Sequence, residues 1–226
     1  MARPIRFVVP GLPHHVTQRG NYKQKTFFDE KDYSLYLRLL RDHSKHFEVA
    51  ILGYCLMPNH THLILVPPKA DSLSRLMQRL HADYARCIHL QYGQMGHLWQ
   101  ARYYSAPMDE HHFWQAMVYV EQNPERAKLV KDCWEWPWSS AAAHLSESGT
   151  DLLDLKLWNQ QFTGESWREY LKLGVTNADI LQRIRESTVS GWPIGSQDFL
   201  AELEKALGRP VQPRAAGRPF QVARAG

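Results

Sequence analysis

The sequence predicts an α+β fold: a ferredoxin-like antiparallel sheet with helices packed on one face of it. Three observations carry that expectation. Short apolar or alternating runs at His14–Arg19, Val49–Leu56, His60–Val66 and Leu98–Ala106 are separated by segments of helical period. The second and third runs are parted only by Met57-Pro58-Asn59, with Pro58-Asn59 as the turn, a hairpin spacing. The resulting order up to residue 106 is strand, helix, strand, strand, helix, strand, the βαββαβ arrangement.

Each element has a local reason. The first strand is closed by Gly20-Asn21. Asp29 can cap a helix over residues 30–46, in which Tyr33, Tyr36, Leu37, Leu40 and Phe47 recur at helical spacing. The run from Val49 to Leu56 is apolar nearly throughout, as a central strand is. Asp71 can cap a helix over 72–91, with Leu73, Leu76, Leu80, Tyr84 and Ile88 on one stripe and Arg75, Arg79 and Arg86 on the other face. Gly93 and Gly96 break it. Asp109 can cap a third helix ending at Gln122 or Asn123, because Pro124 pushes the residue before it away from helical angles. A short helix over 125–130 can follow.

Beyond residue 147 the pattern changes. Residues 163–207 read as two or three short amphipathic helices punctuated by Gly174 and Ser190-Gly191-Trp192-Pro193. Residues 208–226 are rich in Pro, Gly, Ala and Arg, with few apolar anchors. The expected organisation is a domain over 1–147, a helical extension over 148–207 and a basic, flexible tail over 208–226.

Composition narrows the classes. The chain has 226 residues and 44% hydrophobic content, and no run approaches the ~18 apolar residues of a membrane helix. The basic start has no signal-peptide apolar region behind it. Cys55, Cys87 and Cys133 are odd in number and far apart, which argues against a disulfide framework and a cysteine-type zinc site and points to a reducing cytoplasm. The net charge is +4, unevenly spread. Residues 1–25 hold Arg3, Arg6, Arg19, Lys23 and Lys25 without an acid, and residues 208–226 hold four arginines without one. Such basic ends suit a phosphate backbone, or serve only solubility.

The residues that can carry chemistry lie in two places. In His60-Thr61-His62 the alternation of a strand puts both imidazoles on one face, where they can grip one divalent cation or simply open the strand as polar residues. Tyr119 and Asn123 are spaced i and i+4, so they share a helix face. A phenol can attack phosphorus and hold a covalent phosphotyrosine when a cation or base assists. The Asn123 amide oxygen is a third ligand or, equally in character, the residue a helix end before proline uses as a cap. Two imidazoles and an amide suit Mg²⁺ or Mn²⁺ on a bound phosphate.

The chain resembles the REP-associated tyrosine transposases, a branch of the single-tyrosine HUH transposases. The resemblance runs through Pro10-Gly11-Leu12-Pro13-His14-His15-Val16-Thr17-Gln18-Arg19-Gly20-Asn21, Met57-Pro58-Asn59-His60-Thr61-His62-Leu63, Leu98-Trp99-Gln100-Ala101-Arg102 and Tyr119-Val120-Glu121-Gln122-Asn123-Pro124-Glu125-Arg126-Ala127, in the family's order. Trp138-Ser139-Ser140 with Ala143-His144 also fits. It implies the HUH nuclease fold, His60, His62 and Asn123 as metal ligands, and Tyr119 as the nucleophile. It further implies cleavage and rejoining of single-stranded or hairpin DNA of REP-like palindromes through a 5′-phosphotyrosine. Two departures stand out. Thr61 replaces the usual apolar middle residue but points away from the metal, and Ala101-Arg102-Tyr103-Tyr104-Ser105 replaces the usual Gly-Arg-Phe-Lys-Ser.

The DNA contacts expected are Arg19, Asn21, Lys23, Lys25, Arg102, Tyr103 and, in a Gly-Arg-Pro hook, Arg218. The setting expected is cytoplasmic and nucleoid-associated, with a monomer favoured. Two other readings compete: a non-catalytic binder of palindromic DNA on the same fold, and a two-histidine phosphoesterase, since His15-Val16-Thr17 fits an H-x-T element while His60-Thr61-His62 lacks the second.

Overall fold

The computed structural model describes residues 6–146 and 150–213. Four strands, β1 (His14–Arg19), β2 (Ala50–Met57), β3 (His60–Val66) and β4 (Tyr104–Pro107), form one sheet in the order β2-β3-β1-β4, every neighbouring pair antiparallel. With α1 (Glu30–His46) between β1 and β2, and α2 (Ser72–Tyr92) between β3 and β4, this is the ferredoxin-like arrangement. Asp29 caps α1 in a reciprocal box with Asp32, accepting from the Lys31 and Asp32 amides. Asp71 makes no side-chain cap at α2 and pairs instead with Arg75.

The sheet is covered on both faces, not on one. Val16, Tyr54, Leu56, Leu63 and Leu65 pack with Tyr36, Leu40, Leu76 and Leu80 of α1 and α2. The alternate residues Cys55, Met57, Ile64 and Ala106 face α3 (Glu110–Glu121) instead. The second layer holds because α3 is apolar nearly all round: Phe113, Ala116, Met117, Val118 and Val120 are buried.

The chain then runs through α4 (Asn123–Arg126), α5 (Ala141–Ser146), α6 (Lys156–Gln161), α7 (Gly164–Leu173), α8 (Ala178–Ser190) and α9 (Gln197–Leu207). Trp158, Trp167, Leu171, Ile180, Ile184 and Ile194 from this half lie in the same buried cluster as α3. The helices around Gly174 and Gly191 stand where the periodicity predicts them; α5 and α6, each six residues, were too short to show a period.

Three elements differ from expectation. The apolar run of β2 suggested a central strand, but β2 lies at the edge of the sheet, apolar because its alternate residues are buried on both faces. The fourth strand spans Tyr104–Pro107 instead of beginning at Leu98. Residues 98–100 still run beside the loop after β1, with Asn21 N–H donating to Leu98 O and Gln100 N–H to Arg19 O. Trp99 turns inward, its Nε1 donating to His81 O. At Pro124 the helix breaks as predicted, but Asn123 opens the next short helix rather than ending the last one. Among the described residues no helix is long and apolar enough to cross a membrane, and the three cysteines are free.

Candidate active site

Strand alternation sorts the chemistry. In the antiparallel register Arg19 lies opposite His60, Thr17 opposite His62 and His15 opposite Ile64. His60, His62, His15, Thr17 and Arg19 therefore share one face, and Thr61, wholly buried, points to the other. The His60 and His62 rings are 4.9 Å apart.

His60 and His62 each have Nδ1 engaged. His60 Nδ1 lies 2.6 Å from Asn59 Oδ1, and the Asn59 Nδ2 donates to Lys23 O at 3.1 Å, which fixes which way the amide faces. Oδ1 can only accept, so His60 carries its proton on Nδ1 and leaves Nε2 as a lone pair. His62 Nδ1 lies 2.9 Å from His15 Nε2. Burial, then Arg19, lowers the His60 pKa to about 4. Burial first, then His60, His15, Arg126 and Arg19, pushes His62 well below its usual value. Burial alone takes His15 down to about 3. All three are neutral near pH 7, the form a metal ligand requires.

Helix α3 delivers Tyr119 to this face. Its ring meets His62 edge-on at 5.8 Å and His15 at 6.1 Å between centroids. The Arg126 guanidinium stands 4.2 Å over the same ring while its Nη2 donates to Tyr119 O at 2.7 Å. Asn123 is nearly buried, its Nδ2 donating to Tyr119 O at 3.1 Å and Val120 O at 3.2 Å. The amide nitrogen is thus turned back on α3, and Oδ1 is the atom left for a ligand's role.

A buried network fixes α3 in place. The Glu121 carboxylate, wholly buried, accepts from Ser140 Oγ at 2.5 Å, His144 Nδ1 at 2.6 Å and Trp167 Nε1 at 2.8 Å. It ties α3, which carries Tyr119, to α5 and α7. The Trp-Ser-Ser and Ala-His segments of the sequence pattern are therefore supports beneath the site.

A cavity of about 270 Å³ opens in front of the histidines. It is lined by His60 and His62, by Thr17, Gln18 and Arg19 of β1, by Lys23, by Gln100–Arg102 and Tyr104, and by Thr188 and Val189 at the end of α8. Neither Tyr119 nor Asn123 is among its walls. Arg19, Lys23 and Arg102 are exposed, and Arg102 also lines two further cavities, one against Phe7 and Trp192 and one against α2. Lys23 is held by a tight turn in which Tyr22 and Lys23 both take positive φ, at 50° and 60°. Gly20 permits that turn: a Cβ there would stand 2.3 Å from Gln24 O and 2.8 Å from Thr26 Cγ2.

The remaining expected contacts divide. Asn21 is half-buried in the turn, and Lys25 is exposed but lies outside the cavity wall. Tyr103 is not a stacking platform: it is 7% exposed, with the Arg6 guanidinium 3.8 Å over its ring and Arg6 Nε donating to its carbonyl. Its neighbour Tyr104, on the opposite side of β4, is the aromatic that reaches the cavity. Arg218 lies outside the described residues. Sequence reasoning missed the place of His15 beside His62, although its spacing within β1 marked the face it would occupy.

Among the described residues no three His, Cys, Asp or Glu side chains converge to hold a metal ion. Two neutral histidines with Nδ1 engaged nonetheless fit a divalent cation held through Nε2, with oxygen donors completing the set.

The sheet order and helix placement define an α+β protein of the tyrosine-transposase fold. A solved REP-associated tyrosine transposase bound to a REP hairpin aligns over 69% of this chain and 96% of its own, with TM-score 0.56 and 16% identity. The model of the family described as "Transposase IS200 like" matches residues 8–123, and the chain belongs to that family of enzymes acting on DNA. The matched span contains His15, His60, His62, Tyr119 and Asn123. Weaker similarities are to a protein described as a transposase from Deinococcus radiodurans (23% identity, 54% of this chain and 97% of that one, TM-score 0.37) and to tRNA(His) guanylyltransferase from Saccharomyces cerevisiae (14%, 84% and 82%, TM-score 0.40). No curated protein matches.

Proposed function

We propose that the protein cuts and rejoins single strands of hairpin-forming palindromic DNA through a 5′-phosphotyrosine on Tyr119, with a divalent cation, Mg²⁺ or Mn²⁺, at His60, His62 and Asn123. The observation that carries this reading is the meeting of Tyr119 with His62 at 5.8 Å, from a helix and a strand far apart in sequence. The reading of the substrate draws on the REP hairpin bound by the structural relative.

The Tyr119 Oη attacks the scissile phosphorus and gives up its proton. The bond from phosphorus to the 3′ oxygen breaks, and that oxygen leaves as a 3′-hydroxyl after taking a proton. A 3′-hydroxyl attacking the phosphotyrosine reverses the step and joins strands without ATP, because the phosphodiester energy is kept in the covalent link. The cation, when bound, withdraws charge from the phosphate. Arg19, Lys23 and Arg102 hold the backbone of the strand across the cavity mouth, and the exposed face of Tyr104 meets an unpaired base.

The test is to incubate the protein with labelled single-stranded hairpin DNA and Mn²⁺ and to separate products in SDS. Wild type gives a covalent adduct, and Tyr119→Phe gives none while still binding the DNA. An adduct formed by Tyr119→Phe refutes the assignment of the nucleophile.

A further inference from the structure

Metal-binding histidines need their second nitrogen held. An imidazole that ligates through Nε2 carries its proton on Nδ1, and that N–H needs an acceptor to fix ring rotation and tautomer. Asn59 Oδ1 meets this need for His60 at 2.6 Å. At His62 the only group in reach of Nδ1 among the described residues is His15 Nε2, at 2.9 Å, with the two rings stacked at 21° and 5.1 Å between centroids.

We propose that His15 is a positioning residue for His62, accepting its Nδ1–H and so holding it in the tautomer that offers Nε2 to a divalent cation. The proposal rests on the metal-assisted reading above. His15 is 2% exposed, and its own Nδ1 is buried without a partner. No third group therefore locks the pair. With the proton between the rings on His15, the His62 Nε2 carries hydrogen and cannot ligate. With it on His62, Nε2 is free and His15 holds its hydrogen on Nδ1. The two arrangements bind the same number of protons: one shifts from His15 to His62, one leaves His62 Nε2 and one is taken up at His15 Nδ1. Cation binding selects the second arrangement.

The experiment uses the full chain without DNA. Mn²⁺ affinity is read from loss of the free-ion EPR signal, and histidine tautomers from long-range ¹⁵N NMR with diamagnetic Zn²⁺. His15→Phe, which keeps the ring and removes the acceptor, is expected to weaken Mn²⁺ binding about 10- to 100-fold. His15→Gln, whose amide oxygen can accept, is expected to stay within a few-fold of wild type. In the wild-type spectrum Zn²⁺ should shift His62 to the Nδ1–H form. Equal Mn²⁺ affinity in wild type and His15→Phe, or a His62 Nε2–H that persists at saturating Zn²⁺, overturns the proposal and leaves the nuclease reading standing. If wild type takes up no Mn²⁺, the metal-assisted reading fails and His15 with it. Should His15→Phe not fold, the wild-type tautomer measurement still decides, and Asn59→Ala checks the same logic at His60 with an expected loss of about tenfold.

Discussion

Replacing Glu121 by alanine removes the one acceptor shared by three buried donors. The carboxylate holds Ser140, His144 and Trp167 at 2.5, 2.6 and 2.8 Å, and Glu121, Ser140, His144 and Trp167 are all wholly inaccessible to solvent. Ser140 Oγ keeps an acceptor in Tyr54 O at 3.2 Å, but His144 Nδ1 and Trp167 Nε1 are orphaned at a cost of about 1–3 kcal/mol each. Partial relaxation keeps the sum nearer the ~3–5 kcal/mol typical of breaking a buried ionic network. That is a large part of the ~5–15 kcal/mol that holds a domain together. Urea unfolding followed by circular dichroism should show Glu121→Ala destabilised by about 4 kcal/mol. Glu121→Gln, which keeps the shape and two acceptor lone pairs, should lose about half as much. A double-mutant cycle with Trp167→Phe should give a coupling of about 1 kcal/mol or more. Because the network lies two residues along the chain from Tyr119, adduct formation should fall with the loss of order in α3. A cost below about 1 kcal/mol for Glu121→Ala, or additivity with Trp167→Phe to within about 0.3 kcal/mol, would refute the view that this carboxylate anchors the helix.

Acid should unfold the protein through its buried histidines. The pKa of His14 and His60 is lowered to about 4, and that of His15 and His81 to about 3, in each case chiefly by burial. The unfolded chain protonates these groups near 6.5, so between about pH 6.5 and 4 it binds more protons than the fold and stability falls as pH falls. His62, pushed further below its usual value, adds to the same proton uptake on unfolding, so stability should fall steeply from about pH 6.5 to 4, and thermal melts across pH 4–7 that show no drop in Tm would contradict it. Gly20→Ala should cost about 1–3 kcal/mol and displace Lys23, because the new methyl meets Gln24 O; an unchanged melting temperature is the contrary result. Substituting Arg19, Lys23 or Arg102 by alanine should each lower the slope of log affinity against log salt for single-stranded DNA by about 0.7, read by fluorescence anisotropy.

The sequence carried the succession of elements along the chain, the caps of α1 and α3 and the pairing of His60 with His62, because these depend on periods and residues close in sequence; the place of β2 at the sheet edge it did not carry, because helices bury both faces of that strand and its run reads as central. The break at Pro124 was legible for the same reason, since proline acts on its own neighbours. What stayed hidden depends on contacts between distant segments. The residues 98–103 read as strand on their aromatic content, yet Trp99 is drawn to the His81 carbonyl and Tyr103 under Arg6, so the extended pairing starts only at Tyr104. In the sequence Glu121 stands only as the middle of the Tyr119–Asn123 stretch, and only the fold brings Trp167 and His144 to it. His15 was set beside the competing phosphoesterase reading, yet its partner in that scheme, Thr17, gives its hydroxyl to Thr188 O.

The site sits where the second layer stops. On the α1 and α2 face, Val16, Leu63 and Leu65 offer a continuous apolar surface that the helices close over completely. On the other face the apolar cover is partial: Cys55 and Met57 of β2, with Ile64 and Ala106, lie in the core with α3, while His15, Thr17, His62, His60 and Arg19 follow in order along β1 and β3. A helix cannot bury such a row without supplying polar partners. The helix α8 supplies one, the Thr188 carbonyl that takes the Thr17 hydroxyl at 2.8 Å, and at that point its chain turns away through Gly191 at φ 75°. Gly191 is held there by fit as well as by φ, since a Cβ would press on the Ser105 carbonyl at 3.3 Å. The cavity is therefore the part of the polar row that α8 leaves open, and its outer wall, Thr188 and Val189, comes from a segment beyond the family match at residues 8–123. On the proposed reading the catalytic groups fall within the span matched by the family, while one wall of the opening offered to a DNA strand comes from the end of α8.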